Sequence, residues 1–153
     1  MLEKYKYPYF SIDHLKMGLI RSGYIDLTVE DDEKILPYLW KIIKEIIKTA
    51  IENNQNLIIE GGYIPFDWRG YFEDDYLAKI RYICLAMSDK YIEHNFDKIV
   101  KHSSDIEQRL DDTQLTINRL KEENKKYIQG CREYGEDVVI IEDNYLETID
   151  ALI

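Results

Sequence analysis

Four short apolar runs in this sequence end in side chains capable of polar chemistry. Asp13 follows Pro8-Tyr9-Phe10-Ser11-Ile12, Glu60 closes Leu57-Ile58-Ile59, Ser88 comes just after Ile80 to Ala86, and Glu142-Asp143 follow Val138 to Ile141. Carboxylates and hydroxyls at such positions suit proton handling and ligand positioning rather than covalent attack. The remaining reactive residue types offer less. Cys84 lies in an apolar run and Cys131 in a charged helical stretch, without CxxC or Cys/His spacing for a metal, so both read as reduced, buried thiols. His14, His94 and His102 are scattered without ligand spacing, and no Ser or Cys sits in a GxSxG setting. Neither a metal site nor a nucleophile is expected from these groups.

The elements that would position the acids are legible from periodicity. The Pro8–Ile12 run reads as a strand entering from a loop. Helical spacing follows through Leu15, Leu19 and Ile20, with Asp13 at the N-cap position and Gly23 as terminator. Thr28 with Asp31 resembles a capping start for an amphipathic helix through Ile35, Leu39, Ile42, Ile43, Ile46, Ile47 and Ile51, which Pro37 should kink or restart. Leu57 to Glu60 is a compact strand ended by Gly61-Gly62, and Ile80 to Ala86 is a third. Two helical faces follow, Ile92 to Leu110 and Ile117 to Cys131, separated around Asp111-Asp112-Thr113. Gly135 closes the second, Val138 to Ile141 is a fourth strand, and Asn144 to Ile153 is a short terminal helix. Strands separated by helices of more than a dozen residues cannot be hairpins, so the expectation is an open parallel α/β sheet with flanking helices. Ligands bind outside the carboxyl ends of such strands, where the acids stand.

The 153 residues, 45% of them hydrophobic, suit one domain with a sizeable core. Thirty acidic against twenty basic residues give a formal charge of -10, which disfavours a nucleic-acid partner or an anionic membrane surface. No apolar run approaches the roughly twenty residues needed to cross a bilayer, and MLEKYKYPYF lacks a signal-peptide apolar region, so the expectation is a cytoplasmic protein.

Three segments, in order, carry a resemblance to a known family. YPYFSIDHLKMGLI, NLIIEGGYIP and QRLDDTQLTINRL are similar to segments of the nucleoside-monophosphate kinases and their relatives among the P-loop small-molecule kinases, zeta-toxin-like proteins included. The resemblance spans nearly the whole chain. The first looks like the second strand of that fold, whose terminal Asp faces the acceptor hydroxyl. The second resembles the strand that in adenylate kinases ends in Asp-Gly-Phe-Pro, and the third the lid-to-helix signature. Glu60 replaces the usual Asp, Gly62 and Tyr63 stand where Phe-Pro would be, and Arg119 is one residue closer to Asp112 than is typical. These departures argue against adenylate kinase proper. The family's GxxxxGK[ST] loop, whose backbone N–H groups and Lys hold nucleotide phosphates, does not occur in the sequence. By the resemblance, the first and central strand is missing, the chain is N-terminally shortened, and two sheet edges are left open, through which it could form a homodimer.

The resemblance implies one kinase-like domain over residues 1–153, with a helical lid-like region around 89–134. It implies ATP-dependent phosphoryl transfer to a small-molecule hydroxyl or phosphate, with ATP and Mg²⁺ as cofactors. Transfer should be absent or impaired here for want of the loop. Asp13 would position the acceptor, Glu60 would orient a Mg²⁺-bound water, and Arg109 and Arg119 would be lid cations. Arg21, Arg69 and Tyr63 would bind the acceptor, with Phe66, Trp68, Tyr71 and Phe72 beside Tyr63. Each has a plain structural reading too. Asp13 can cap its helix, the arginines can form surface salt bridges, and the aromatic group can pack over the sheet. The alternative function is a non-catalytic binding or interaction protein derived from a kinase fold.

Overall fold

A computed structural model describes residues 6–102 and 115–152 of the chain. The chain folds as two compact units, Met1–Ile80 and Arg81–Ile153, each with its own two-stranded parallel sheet.

In the first unit, strand β1 (Tyr9–Ser11) runs directly into helix α1 (Ile12–Arg21), and helix α2 (Asp32–Glu52) leads to strand β2 (Ile58–Glu60). A 3-10 turn (Trp68–Tyr71) and the single-turn helix α3 (Asp74–Leu77) complete it. Strands β1 and β2 pair in parallel, Tyr9 beside Ile58 and Ser11 beside Glu60, as the helical crossover between them requires.

Helix α1 begins two residues earlier than its sequence pattern suggested. Ser11 is the N-cap and Asp13 lies inside the first turn, where a carboxylate still meets the positive end of the helix dipole. At the other end, the Gly23 N–H bonds the Ile20 carbonyl and the Tyr24 N–H that of Leu19, with Gly23 left-handed at φ 69°. This is the terminator expected of Gly23. Helix α2 runs unbroken through Pro37 for 21 residues. The missing Pro37 N–H costs one bond near the amino end, and the apolar stripe holds the rest, with Ile35, Leu39 and Ile43 fully buried. Burial of each contributes about 1.5–3 kcal/mol. The expected pairing of Thr28 with Asp31 exists, but the direction is reversed: Asp31 is the N-cap residue, and its carboxylate, rather than bonding a helix N–H, accepts from both the N–H and the hydroxyl of Thr28.

The second unit holds strand β3 (Cys84–Met87), helix α4 (Asp89–His102), helix α5 (Ile117–Glu133), strand β4 (Val138–Ile141) and helix α6 (Tyr145–Ala151). Strands β3 and β4 pair in parallel, Cys84 beside Val138 and Met87 beside Ile141. Strand β3 starts at Cys84, later than the Ile80–Ala86 run suggested, and Ile80 itself belongs to the turn after α3, its N–H bonding the Leu77 carbonyl. The lid-like region expected from the resemblance corresponds to α4 and α5 among the described residues. Those helices are joined by ion pairs of Lys121 with Glu93 and Lys125 with Asp89, and α5 packs on β3 and β4. Asn124 of α5 also accepts the Met87 N–H at 2.7 Å. The Ser88 N–H donates to the Ile141 carbonyl on β4, so the N–H of Met87, one residue earlier, faces the opposite edge of β3, which Asn124 occupies there. Ile92, Cys131 and Ile141 form the fully buried centre of this unit. Among the described residues no helix is long and apolar enough to cross a membrane.

Candidate functional site

The carboxyl ends of β1 and β2 gather the first unit's polar groups. The parallel register sets Ser11 beside Glu60, and side chains of residues two apart share a face, so Tyr9 lies diagonally across from Glu60. The Tyr9 hydroxyl donates to Glu60 Oε1 at 2.5 Å. Burial, first, and then the Glu60 carboxylate push the Tyr9 phenol up to about 12, with Asp13 adding a smaller repulsion in the same direction. Tyr9 therefore remains a protonated donor across the neutral range. Asp13, in the first turn of α1, and Glu60 thus come to the same end of the strand pair, and Glu60 holds the phenol.

The turn after β2 is tightly fitted to this end. Gly61 has φ 147°, and a Cβ there would stand 2.8 Å from Ile12 Cβ and 3.2 Å from Ile12 Cγ1. Ile12 is fully buried, so the glycine lets the Glu60 turn lie directly on the β1–α1 junction.

A second polar cluster lies between α1, α2 and the turn. The Lys16 ammonium donates to Asp32 Oδ1 at 2.6 Å, to Tyr63 OH at 2.5 Å and to the Val29 carbonyl at 2.9 Å. Tyr63 in turn donates to Asp32 at 2.6 Å. All three ammonium hydrogens are used, as a lysine only 7% exposed requires. Asp32 and Tyr63 close the α1–α2 connection around it.

The other expected residues are placed differently. Arg21 is exposed in the last turn of α1. Arg69 is exposed and stacks on Trp68, its guanidinium 4.6 Å from the ring centre. Trp68 and Phe72 are buried, and Trp40 meets the rings of Tyr71 and Phe72 edge to face at about 6 Å, so this aromatic stretch packs against α2. Arg119 belongs to the second unit. Its backbone N–H is taken by the Thr116 cap and its side chain pairs with Glu123 at 3.0 Å. Arg109 lies outside the described residues. The structure brings Asp13 and Glu60 together and ties Tyr63 to Lys16.

Tyr9, Ser11, Lys16 and Asp32 carry the geometry without having stood out in the sequence. A signal for Lys16 existed: it falls four residues after Ile12 and three before Leu19, on the apolar side of α1, where a charge must find partners. An open groove of about 680 Å³ lies at the other end of β2, lined by Leu19, Tyr24, Tyr38, Ile42, Ile46 and Leu57 among others. Neither Asp13 nor Glu60 lines it.

Among the described residues no group of three or more His, Cys, Asp or Glu side chains could hold a metal ion, and Lys16 is committed within the fold. At the strand ends stand the Asp13 and Glu60 carboxylates and the Tyr9 phenol, the last already bonded to Glu60. Compared with known proteins, the chain matches no family model, no curated protein and no solved structure.

Proposed function

We propose that the β1–β2 strand ends hold a small hydroxyl-bearing acceptor of the kind phosphorylated by P-loop small-molecule kinases, with Asp13 facing the hydroxyl, and that this chain alone transfers phosphoryl groups from ATP weakly or not at all. The observation that carries the reading is the placement of Asp13, two residues after Ser11, and of Glu60, which pairs with Ser11 and accepts from Tyr9, at the carboxyl ends of a parallel pair, the location where open α/β sheets bind ligands. A positioned carboxylate can align an acceptor hydroxyl and take its proton, which is the main demand that phosphoryl transfer makes on the acceptor side. The demand on the nucleotide side, backbone N–H groups and a lysine around the phosphates, has no counterpart in the sequence.

The second reading, a non-catalytic interaction protein with the same ancestry, draws on the internal pairing of Lys16 and Arg119, which leaves those cations engaged within the chain. Calorimetric titration with ATP and Mg²⁺ tests the proposal on the nucleotide side. No saturable heat is expected. One-to-one binding of the nucleotide would contradict the proposed weakness and mean that another segment holds the phosphates.

A further inference from the structure

Cys84 and Cys131 play no part in the β1–β2 strand ends, yet they are the second unit's most enclosed reactive groups. Both are free cysteines, 6% and 0% exposed. Cys84 opens β3, and Cys131 lies near the end of α5, which packs on that strand. The Cys131 side chain is near enough to Cys84 to raise its pKa, and the Tyr82 hydroxyl lies 3.6 Å from the Cys131 sulfur. Two thiols distant in sequence are therefore held close by a strand and a helix, with a phenol beside them.

We propose that Cys84 and Cys131 form a dithiol that a low-molecular-weight disulfide oxidises to an intrachain bond tying α5 to β3. The exchange proceeds in two displacements. The thiolate of Cys84, the less enclosed of the pair, attacks one sulfur of the small disulfide, forming a mixed disulfide and releasing one small thiolate. The Cys131 thiolate then attacks the Cys84 sulfur, the protein S–S bond forms, and the second small thiolate leaves. Two protons pass from the protein thiols to the departing thiolates, and the small disulfide takes up the two electrons that the protein loses. Burial, and then the neighbouring Cys131, push the Cys84 thiol up to about 12. The folded pair consequently rests as thiols and reacts through a small thiolate fraction. Proximity of the two thiols favours the second displacement over persistence of the mixed disulfide.

The test is incubation of the whole chain with oxidised glutathione, followed by acid quench, alkylation in denaturant and intact-mass measurement. The expected product is about 2 Da lighter than the reduced chain and takes no alkyl group. It should also melt at a higher temperature, because the bond constrains the unfolded chain. Cys131→Ser should stop at one glutathione adduct on Cys84. The proposal is overturned if the wild-type chain keeps a stable glutathione adduct, or if it forms disulfide-linked dimers. It is equally overturned if both thiols remain alkylatable after an incubation about a thousandfold longer than full modification in denaturant takes, the delay that the raised Cys84 thiol sets. These wild-type outcomes hold whether or not the variant folds.

Discussion

Tyr9 reaches diagonally over the strand pair to Glu60, and its ionisation is coupled to folding. A phenol whose folded pKa is raised from 10 to about 12 binds its proton more tightly in the folded state. Its contribution is therefore fully present below pH 10 and is lost as pH rises from 10 towards about 12. Tyr9→Phe removes the hydrogen bond and should lower stability at neutral pH by about 1 kcal/mol. The difference between wild type and variant should shrink through that alkaline window, as read by urea midpoints across a pH series. A difference independent of pH would mean that the phenol titrates as in the unfolded chain. Lys16 makes a related point about what a sequence discloses. Long charged side chains usually read as solvated, and only the position of Lys16 on the apolar side of α1 hinted at burial. Its partners Asp32 and Tyr63 are 16 and 47 residues away and could not be paired with it from local pattern.

At the scale of elements, the features fixed by local chemistry were legible and those fixed by tertiary pairing were not. Val138 to Ile141 forms β4 over the expected residues, and Leu57 to Glu60 differs from β2 by one, because continuous apolar and β-branched runs specify strands directly. Gly23 ends its helix as expected. Helix α2 absorbs Pro37, since Ile35, Leu39 and Ile43 are buried on either side of it and their packing outweighs one lost backbone bond. The pairing of Tyr9 with Glu60 required the register of β1 on β2, which periodicity within either strand does not contain. Gly61 could be recognised as part of a turn, but its contact with Ile12 could not. Gly61→Ala combines a φ of 147° with a 2.8 Å approach to Ile12. It should cost about 1–3 kcal/mol of stability, read from the denaturant midpoint, while leaving the second unit's thiols unaffected. A neutral effect would show that the turn can move away from the β1–α1 junction without loss.

For the whole molecule, parallel α/β architecture was readable from the alternation of strands and long helices, and the chain has it in two units, each built on one parallel pair. The three segments that resemble P-loop kinases supplied Asp13 and Glu60, which the fold sets at one end of one pair. The resemblance points to Arg119, and Arg21 and Arg69 stand near the ends of the first two strand–helix stretches of the sequence, but the exposure and partners of all three are set by packing that the sequence does not spell out. The proposed function accordingly rests on the Asp13 end of the β1–β2 pair. The most direct test is an amide-resonance titration of the isotopically labelled chain with glycerate, a hexose and a nucleoside monophosphate, repeated on Asp13→Asn. The account predicts saturable shifts with at least one of these acceptors at residues 11–13 and 60–63, weakened at least about tenfold in the variant, the scale of one lost charge-assisted hydrogen bond. No shift with any of the three, or shifts that the variant retains at full strength, would contradict it.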